Sequence, residues 1–173
     1  MGEWKLAMKF RGSTVIETIV DTALRSCERV IVVAGYRGSD LESILQGRSG
    51  VEVVRNPEWQ RGMFSSIQLG IGHVKAERFF IMLGDKPRIE SAVYQTLRDG
   101  DPADIVFPVF DGTRGHPVLL RACVREAVLA ADPRTGSMRE IARRFQVGEV
   151  AWKDDTILRD IDTREDYLRE RDS

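Results

Sequence analysis

Four short stretches of this chain carry side chains of the kinds that do chemistry, and each leaves a second reading open. Arg78 to Glu90 reads RFFIMLGDKPRIE, an apolar run from Phe79 to Leu83 that ends abruptly in Gly84-Asp85-Lys86-Pro87. Gly84 lets the backbone turn, and Pro87 prevents the strand from continuing. Asp85 therefore projects at a strand end, where a carboxylate can hold a hard cation such as Mg2+. An aspartate that only accepts backbone N–H bonds in the turn would look the same. The second stretch is Asp160-Ile161-Asp162-Thr163. If it is extended, both carboxylates point to one side and Ile161 to the other. If a helix starts there, Asp162 or Thr163 is its cap and the two carboxylates part company. Mg2+ takes one or two carboxylates plus phosphates and water, so one from each stretch would make a site for metal-assisted phosphoryl chemistry.

The third stretch runs from Asn56-Pro57 to Gly62-Met63-Phe64-Ser65-Ser66. A strand ends, a loop with Trp59 follows, and a helix opens with two hydroxyls. Exposed helix-start N–H groups and serine hydroxyls suit a base edge or an anionic group, and equally an ordinary N-cap at Ser65. The fourth is Asp111-Gly112-Thr113-Arg114-Gly115-His116-Pro117, a hairpin-type connection followed by one of only two histidines. That backbone is tightly specified, although a histidine in a turn is more often structural. The other histidine, His73, lies near the end of an amphipathic helix and reads as solvated or as compensating the helix dipole.

The elements that must position these residues alternate. Val30–Ala34, Val51–Val54, Phe79–Leu83 and Ile105–Val109 have strand length and composition, the last interrupted at Pro108, with shorter candidates at Val118–Leu120 and Val150–Trp152. Helix-period segments lie between them: Ser13–Ser26 with Ser13 or Thr14 as cap, Ser39–Leu45 capped by Ser39, Ser65–Val74, Ser91–Leu97, Ala122–Ala131, Ser137–Phe145 and Thr163–Arg171. Such alternation implies βαβ units, a mainly parallel sheet covered on both faces, and ligands at the carboxyl ends of strands. The chain is expected to form one domain over residues 1–173.

Bulk properties narrow the function classes. The 26 basic and 27 acidic side chains leave a net charge of -1, so no global field attracts nucleic acid or membrane. No apolar run is long enough to cross a bilayer, and MGEWKLAMKF is too charged for a signal-peptide core. Cys27 and Cys123 lack CxxC spacing and read as small buried hydrophobes of a reducing, cytoplasmic protein.

Taken as an ordered set, N-P-E-W-x-x-G-M-x-S-S-I (56 to 67), L-G-D-K-P (83 to 87), P-V-F-D-G-T-R-G-H-P-V-L (108 to 119) and D-I-D-T-R-E-D-Y (160 to 167) resemble the MobA-like nucleotidyltransferases, especially the molybdenum cofactor cytidylyltransferase branch. The resemblance implies a Rossmann-like three-layer α/β/α sandwich. It also implies a Mg2+-dependent condensation of a nucleoside triphosphate, usually CTP, with a phosphorylated acceptor of the molybdopterin type, releasing pyrophosphate. By the same resemblance Asp85 and Asp162 are metal ligands, and Lys5 is the phosphate-binding lysine. Gly62, Ser65 and Ser66, with Gly84, lie along the nucleotide. Gly115, His116 and Pro117 lie on the acceptor side. Sugar-1-phosphate nucleotidyltransferases match the GMFSSI and RGHPVL segments less well.

This sequence departs from that family in two places. Lys86 stands where the family shows Gln, and its ammonium could contact phosphate or compete for the metal carboxylate. The family also opens with an apolar strand and a glycine-rich loop, of which Met1-Gly2-Glu3-Trp4-Lys5-Leu6 resembles only the tail. Two expectations follow, a start internal to a longer gene or a shortened accessory relative that binds without turnover. Either way the sheet would lack its first, central strand. Its exposed edge would then be covered by a rearranged N-terminal segment, a partner or a second copy of the chain.

Overall fold

The structure is a computed structural model and describes residues 4–172; Met1, Gly2 and Glu3 of the N-terminal motif lie outside the described residues. After a short 3-10 turn at Lys5–Ala7, the elements follow in the order β1 Lys9–Phe10, β2 Ser13–Thr14, α1 Val15–Leu24, β3 Val30–Ala34, α2 Gly38–Leu45, β4 Val51–Arg55, α3 Met63–Gly72, β5 Arg78–Ile81, α4 Ser91–Gly100, β6 Ile105–Phe110, β7 Thr113–Arg114, β8 Val118–Arg121, α5 Ala122–Ala130, α6 Met138–Ala142, β9 Val147–Ala151 and α7 Arg164–Asp172. None of the described helices is long and apolar enough to cross a membrane.

Alternation along the strands assigns the layers. Ile105 and Leu120 face one side of the sheet with Phe79, packed by Ile71 of α3, Val124 and Val128 of α5 and Ile141 of α6. Their neighbours Val106 and Leu119 face the other side, against Ala23 of α1 and Val93, Tyr94 and Leu97 of α4. Each of these large apolar side chains contributes about 1.5–3 kcal/mol by leaving water, which is why helices cover both faces. The result is the three-layer α/β/α sandwich with a Rossmann-like βαβ arrangement.

The sheet is mixed in direction. β3 runs parallel to β4, and β6 parallel to β9. β8 lies antiparallel between β5 and β6. The short route from β6 through the β6–β7 hairpin into β8 forces that reversal, because a parallel return would need a crossover of a dozen or more residues. Asp111 and Gly112 turn the hairpin with φ of 48° and 73°, the pair of positive values that matches the strand twist. Pro108 does not interrupt β6, which continues to Phe110. The Pro108 carbonyl instead accepts the Gly115 N–H at 2.8 Å.

The sheet is also divided. β3 and β4 form one two-stranded unit, while β5, β8, β6, β7 and β9 form another. Among the described residues β3 pairs only with β4, and β5 only with β8. The same helices nevertheless cover both units. Val30 and Phe80 pack on one cluster with Ala23 and Cys27, while α3 sets Gly70 against Val33 and Ile71 against Phe79. Residues Val30–Val33 are only half-buried, although their composition is that of a strand packed on both faces. Among the described residues the N-terminal segment does not take up this edge. Residues 9–14 form their own hairpin, β1–β2, and Leu6 lies against Gly84.

Several local details differ from the sequence reading. Thr14 caps α1 in a reciprocal capping box with Glu17. α2 starts at Gly38, with Arg37 rather than Ser39 in the cap position at φ 58°. Cys123 is exposed, not buried, and Cys27 is half-buried. His73 ends α3 with Nδ1 2.9 Å from Glu52 Oε1, so it is paired as well as placed at the helix terminus.

Candidate active site

Asp85 follows β5, and its neighbour across the site comes from the far end of the chain. Ile161 is fully buried, and the segment Arg159–Asp162 is neither helix nor strand. Thr163, not Asp162, begins α7: its hydroxyl accepts the Asp166 N–H at 3.0 Å, and Asp166 accepts the Thr163 N–H at 2.8 Å. The helix therefore starts one residue late for Asp162, whose carboxylate stays free of the cap. The Ile161 N–H donates to the Asp85 carbonyl at 2.9 Å, which joins the two stretches directly.

The carboxylates converge on Lys5. Its Nζ lies 3.0 Å from Asp162 Oδ1 and 3.3 Å from Asp85 Oδ2. Burial disfavours its charge, but the hydrogen bond to Asp162 and the field of Asp85 outweigh that and hold the ammonium above its ordinary pKa. Asp85 Oδ1 is buried and has no hydrogen-bond partner among the described residues. An orphaned carboxylate oxygen beside a captured ammonium is what a cation-binding pair looks like when its positive charge comes from a side chain. Both carboxylates offer hard oxygens, the donors that Mg2+ takes. Among the described residues no three metal-ligating side chains cluster, which would leave the rest of a shell to phosphate and water. The residues present thus fit the cation.

Lys86 is not the competitor for Asp85. It is buried, donating to the Leu158 carbonyl at 2.7 Å and lying 3.6 Å from Asp160 Oδ2. Lys5 holds Asp85 instead. Gly84 also has a different role from the one its residue type suggests. It has no positive φ, and a Cβ there would meet only Leu6 Cδ2 at an ordinary 3.5 Å, so the turn itself does not demand glycine.

The loop at His116 reaches the same region. The His116 N–H donates to the Ile157 carbonyl at 3.1 Å, and a Cβ on Gly115 would fall 2.6 Å from that oxygen. Only glycine allows the approach. Burial first, then the charge of Lys86, holds the His116 imidazole below its ordinary pKa, and its Nδ1 is buried without a partner. The His116–Pro117 peptide is cis.

The serines form a separate constellation. α3 begins at Met63, after Gly62 at φ 102°, and has no side-chain cap. Ser65 is therefore not the N-cap: its hydroxyl donates back to the Gly62 carbonyl at 2.8 Å. The residue that organises this loop is Asn56, which is buried. Its Nδ2 donates to Ser65 Oγ at 3.0 Å and Ser66 Oγ at 2.9 Å, and its Oδ1 accepts the Glu58 N–H at 2.9 Å. An Asn-Pro pair ending a strand was the available signal, but the side chain's inward reach depends on the fold. No hydrogen bond or ion pair among those described joins this group to Asp85 or Asp162. The loops after β3 and β4 nonetheless meet: Gly35 abuts Trp59, Tyr36 tilts on Trp59, and Arg37 lies over Trp4, next to Lys5.

The chain is 27% identical to the molybdenum cofactor cytidylyltransferase of Escherichia coli K12 over 169 residues, 97% of this chain and 87% of that one. Its fold is similar to that of Rv0371c from Mycobacterium tuberculosis H37Rv, with a TM-score of 0.82 at 23% identity, covering 100% of this chain and 92% of that one. A complex of Rv0371c with manganese gives 0.80 at 24% identity over 99% and 94%. A nucleotidyl transferase from Methanothermobacter gives 0.82 at 24% over 97% and 83%. Residues 1–150 match the MobA-like NTP transferase domain, and the chain belongs to that family of nucleotidyltransferases.

Proposed function

We propose that the chain transfers a cytidylyl group from CTP to a phosphorylated acceptor of the molybdopterin type, with a divalent cation at Asp85 and Asp162. The observation that carries this reading is the convergence of those two carboxylates on one positive charge while Asp85 Oδ1 stays unsatisfied. The choice of nucleotide and acceptor rests on the similarity to the Escherichia coli cytidylyltransferase, and the choice of cation class on the hard donor set together with the manganese complex of Rv0371c.

The transfer is a displacement at the α-phosphorus. An acceptor phosphate oxygen forms the new P–O bond, the bond from the α-phosphorus to the bridging oxygen breaks, and pyrophosphate leaves with that electron pair. No protein nucleophile is needed, so catalysis consists of positioning and charge. A cation bound at Asp85 and Asp162 would neutralise the phosphates and stabilise charge developing on the leaving group. Lys5, once released from the two carboxylates, supplies an ammonium to a phosphate oxygen. Gly62, Ser65 and Ser66 form the nucleotide side, with the hydroxyls oriented by Asn56, and the Gly84–Asp85 backbone borders it. Gly115, His116 and Pro117 form the acceptor side, where a largely neutral His116 can offer a hydrogen bond without adding charge.

The test is calorimetry with CTP and Mg2+ followed by a pyrophosphate-release assay with the molybdopterin acceptor. Binding and release, both abolished in Asp85→Asn, are expected. Binding without release would favour an accessory protein of molybdoenzyme maturation instead.

We also propose that the unpaired edges of β3 and β5 are covered by a second copy of the chain. Two rows of unpaired N–H and C=O groups beneath shared helices are a template for strand pairing. A monomer at every concentration on size-exclusion chromatography, with rapidly exchanging β3 amides, would count against this.

A further inference from the structure

Lys86 is a buried cation in a place where its charge has little local support. Its side chain is only 5% exposed, and its nearest carboxylate, Asp160, lies 3.6 Å away and is half in water. Its one close hydrogen bond, 2.7 Å, goes to the main-chain carbonyl of Leu158. Burying an ammonium for such partners is costly, and a residue of this kind persists where it holds something in place.

What it holds is the segment that carries Asp162. Leu158 closes the 3-10 turn Asp155–Ile157 and leads directly into the irregular segment Arg159–Asp162. The segment and the turn before it are also held by main-chain bonds, among them Ile161 N–H to the Asp85 carbonyl at 2.9 Å and His116 N–H to the Ile157 carbonyl at 3.1 Å. Lys86 is adjacent in sequence to Asp85. One residue therefore supplies a ligand from its neighbour and ties down, through Leu158 and Asp160, the strip that presents the other. The carboxylate flanking Ile161 on one side meets Lys86, and the one on the other side meets Lys5.

We infer that Lys86 is a positioning residue: its bond to the Leu158 carbonyl and its attraction for Asp160 set Asp162 opposite Asp85, so that the pair can share a cation. The metal-binding consequence rests on the function proposed above, whereas the tether itself does not. Lys86 touches neither reacting atom, and its charge is turned away from the two carboxylates it aligns.

The experiment compares wild type with Lys86→Met, which keeps the chain length and removes the donor, and Lys86→Gln, which keeps a shorter donor. Two measurements are made on the full chain: amide hydrogen exchange at Ile161, with Val106 in the core strand as reference, and Mn2+ binding by calorimetry. The expected result for Lys86→Met is at least tenfold faster exchange at Ile161 with Val106 unchanged, and about tenfold weaker Mn2+ binding. Lys86→Gln should lie between it and wild type, and it decides the matter if the methionine variant does not fold. Unchanged exchange at Ile161 overturns the inference. Equal loss of protection at Val106 also overturns it, because Lys86 would then be a general stabiliser. If wild type binds no Mn2+, or Asp85→Asn binds it equally well, the metal reading fails while Ile161 exchange still judges the tether. If Mn2+ binds at Asp85 and Lys86→Met leaves that affinity intact, the positioning role fails and the metal reading stands.

Discussion

Asp85 and Asp162, one from the middle of the chain and one from beyond its last strand, hold the same ammonium group between them, that of Lys5, at 3.3 and 3.0 Å. A lysine so placed does what a bound cation would do, screening two carboxylates that would otherwise repel each other. It also stands in a cation's way.

Removing that ammonium should therefore help the metal and harm the reaction. Lys5→Met is expected to bind Mn2+ roughly three- to tenfold more tightly than wild type, the scale of one partly solvated charge pair, while pyrophosphate release falls. Calorimetry and a release assay on the same preparation check both. Weaker Mn2+ binding in Lys5→Met would show that the lysine supports the cation instead of holding its place.

The two aspartates should not be equivalent. The Asp85 side chain is 25% exposed and Asp162 is 65% exposed, so the same charge is worth more at Asp85, where water screens it less. Asp85→Asn should lower turnover by roughly 100- to 1000-fold, in line with the loss of one preorganised electrostatic partner, and Asp162→Asn by clearly less. Steady-state kinetics of the two variants separate these outcomes, and a larger loss at Asp162 would reverse the assignment of the principal ligand.

Asn56 makes a stability prediction. Asn56→Ala leaves the buried hydroxyl of Ser65, the half-buried hydroxyl of Ser66 and the Glu58 N–H short of a partner, at a cost of about 1–3 kcal/mol. Urea denaturation should show a lower midpoint with an unchanged slope. A midpoint equal to wild type would mean that water replaces the side chain.

The cap of α1 should be visible in the pH dependence of stability. Hydrogen bonding from Thr14, opposed by burial and reinforced by Arg48 and Ser13, lowers the Glu17 carboxyl from its ordinary 4.5 to about 2. A depressed folded-state value means stability that is present above pH 4.5 and lost as the pH falls towards 2. Glu17→Gln should thus be less stable than wild type near neutrality, by about 1 kcal/mol as for other lost caps. The difference should close by about pH 2. Thermal denaturation at several pH values measures it, and a gap that persists in acid would exclude the carboxylate as its source.

Much of this was legible in the residues themselves. Strand-length apolar runs ending in Gly35 or in Gly84-Asp85 marked where chain direction changes, because glycine and proline act locally. Ser13 or Thr14, and Asp162 or Thr163, marked helix starts for the same reason, and the Thr14–Glu17 and Thr163–Asp166 bonds of the structure chose the threonine in each case. D-I-D posed a choice that local chemistry left open: a helix does start beside it, Thr163 takes the cap, and the two carboxylates part, Asp160 towards Lys86 and Asp162 towards Lys5.

What remained hidden was long-range. That Lys86 turns inward to Leu158 while Lys5 reaches Asp85 cannot be read from either lysine's neighbours, because both carry the same charge and similar reach. The inward hold of Asn56 on two serines, the antiparallel insertion of β8 and the division between β3 and β5 likewise depend on which segments meet. The amino-acid order determined most of the elements, the neighbourhoods of the caps at Thr14 and Thr163 and the family-like spacing of acidic residues, all through contacts within a few residues. The folded chain alone decided which charges share a site, because burial and Coulomb attraction act across whatever distance in sequence the packing has closed.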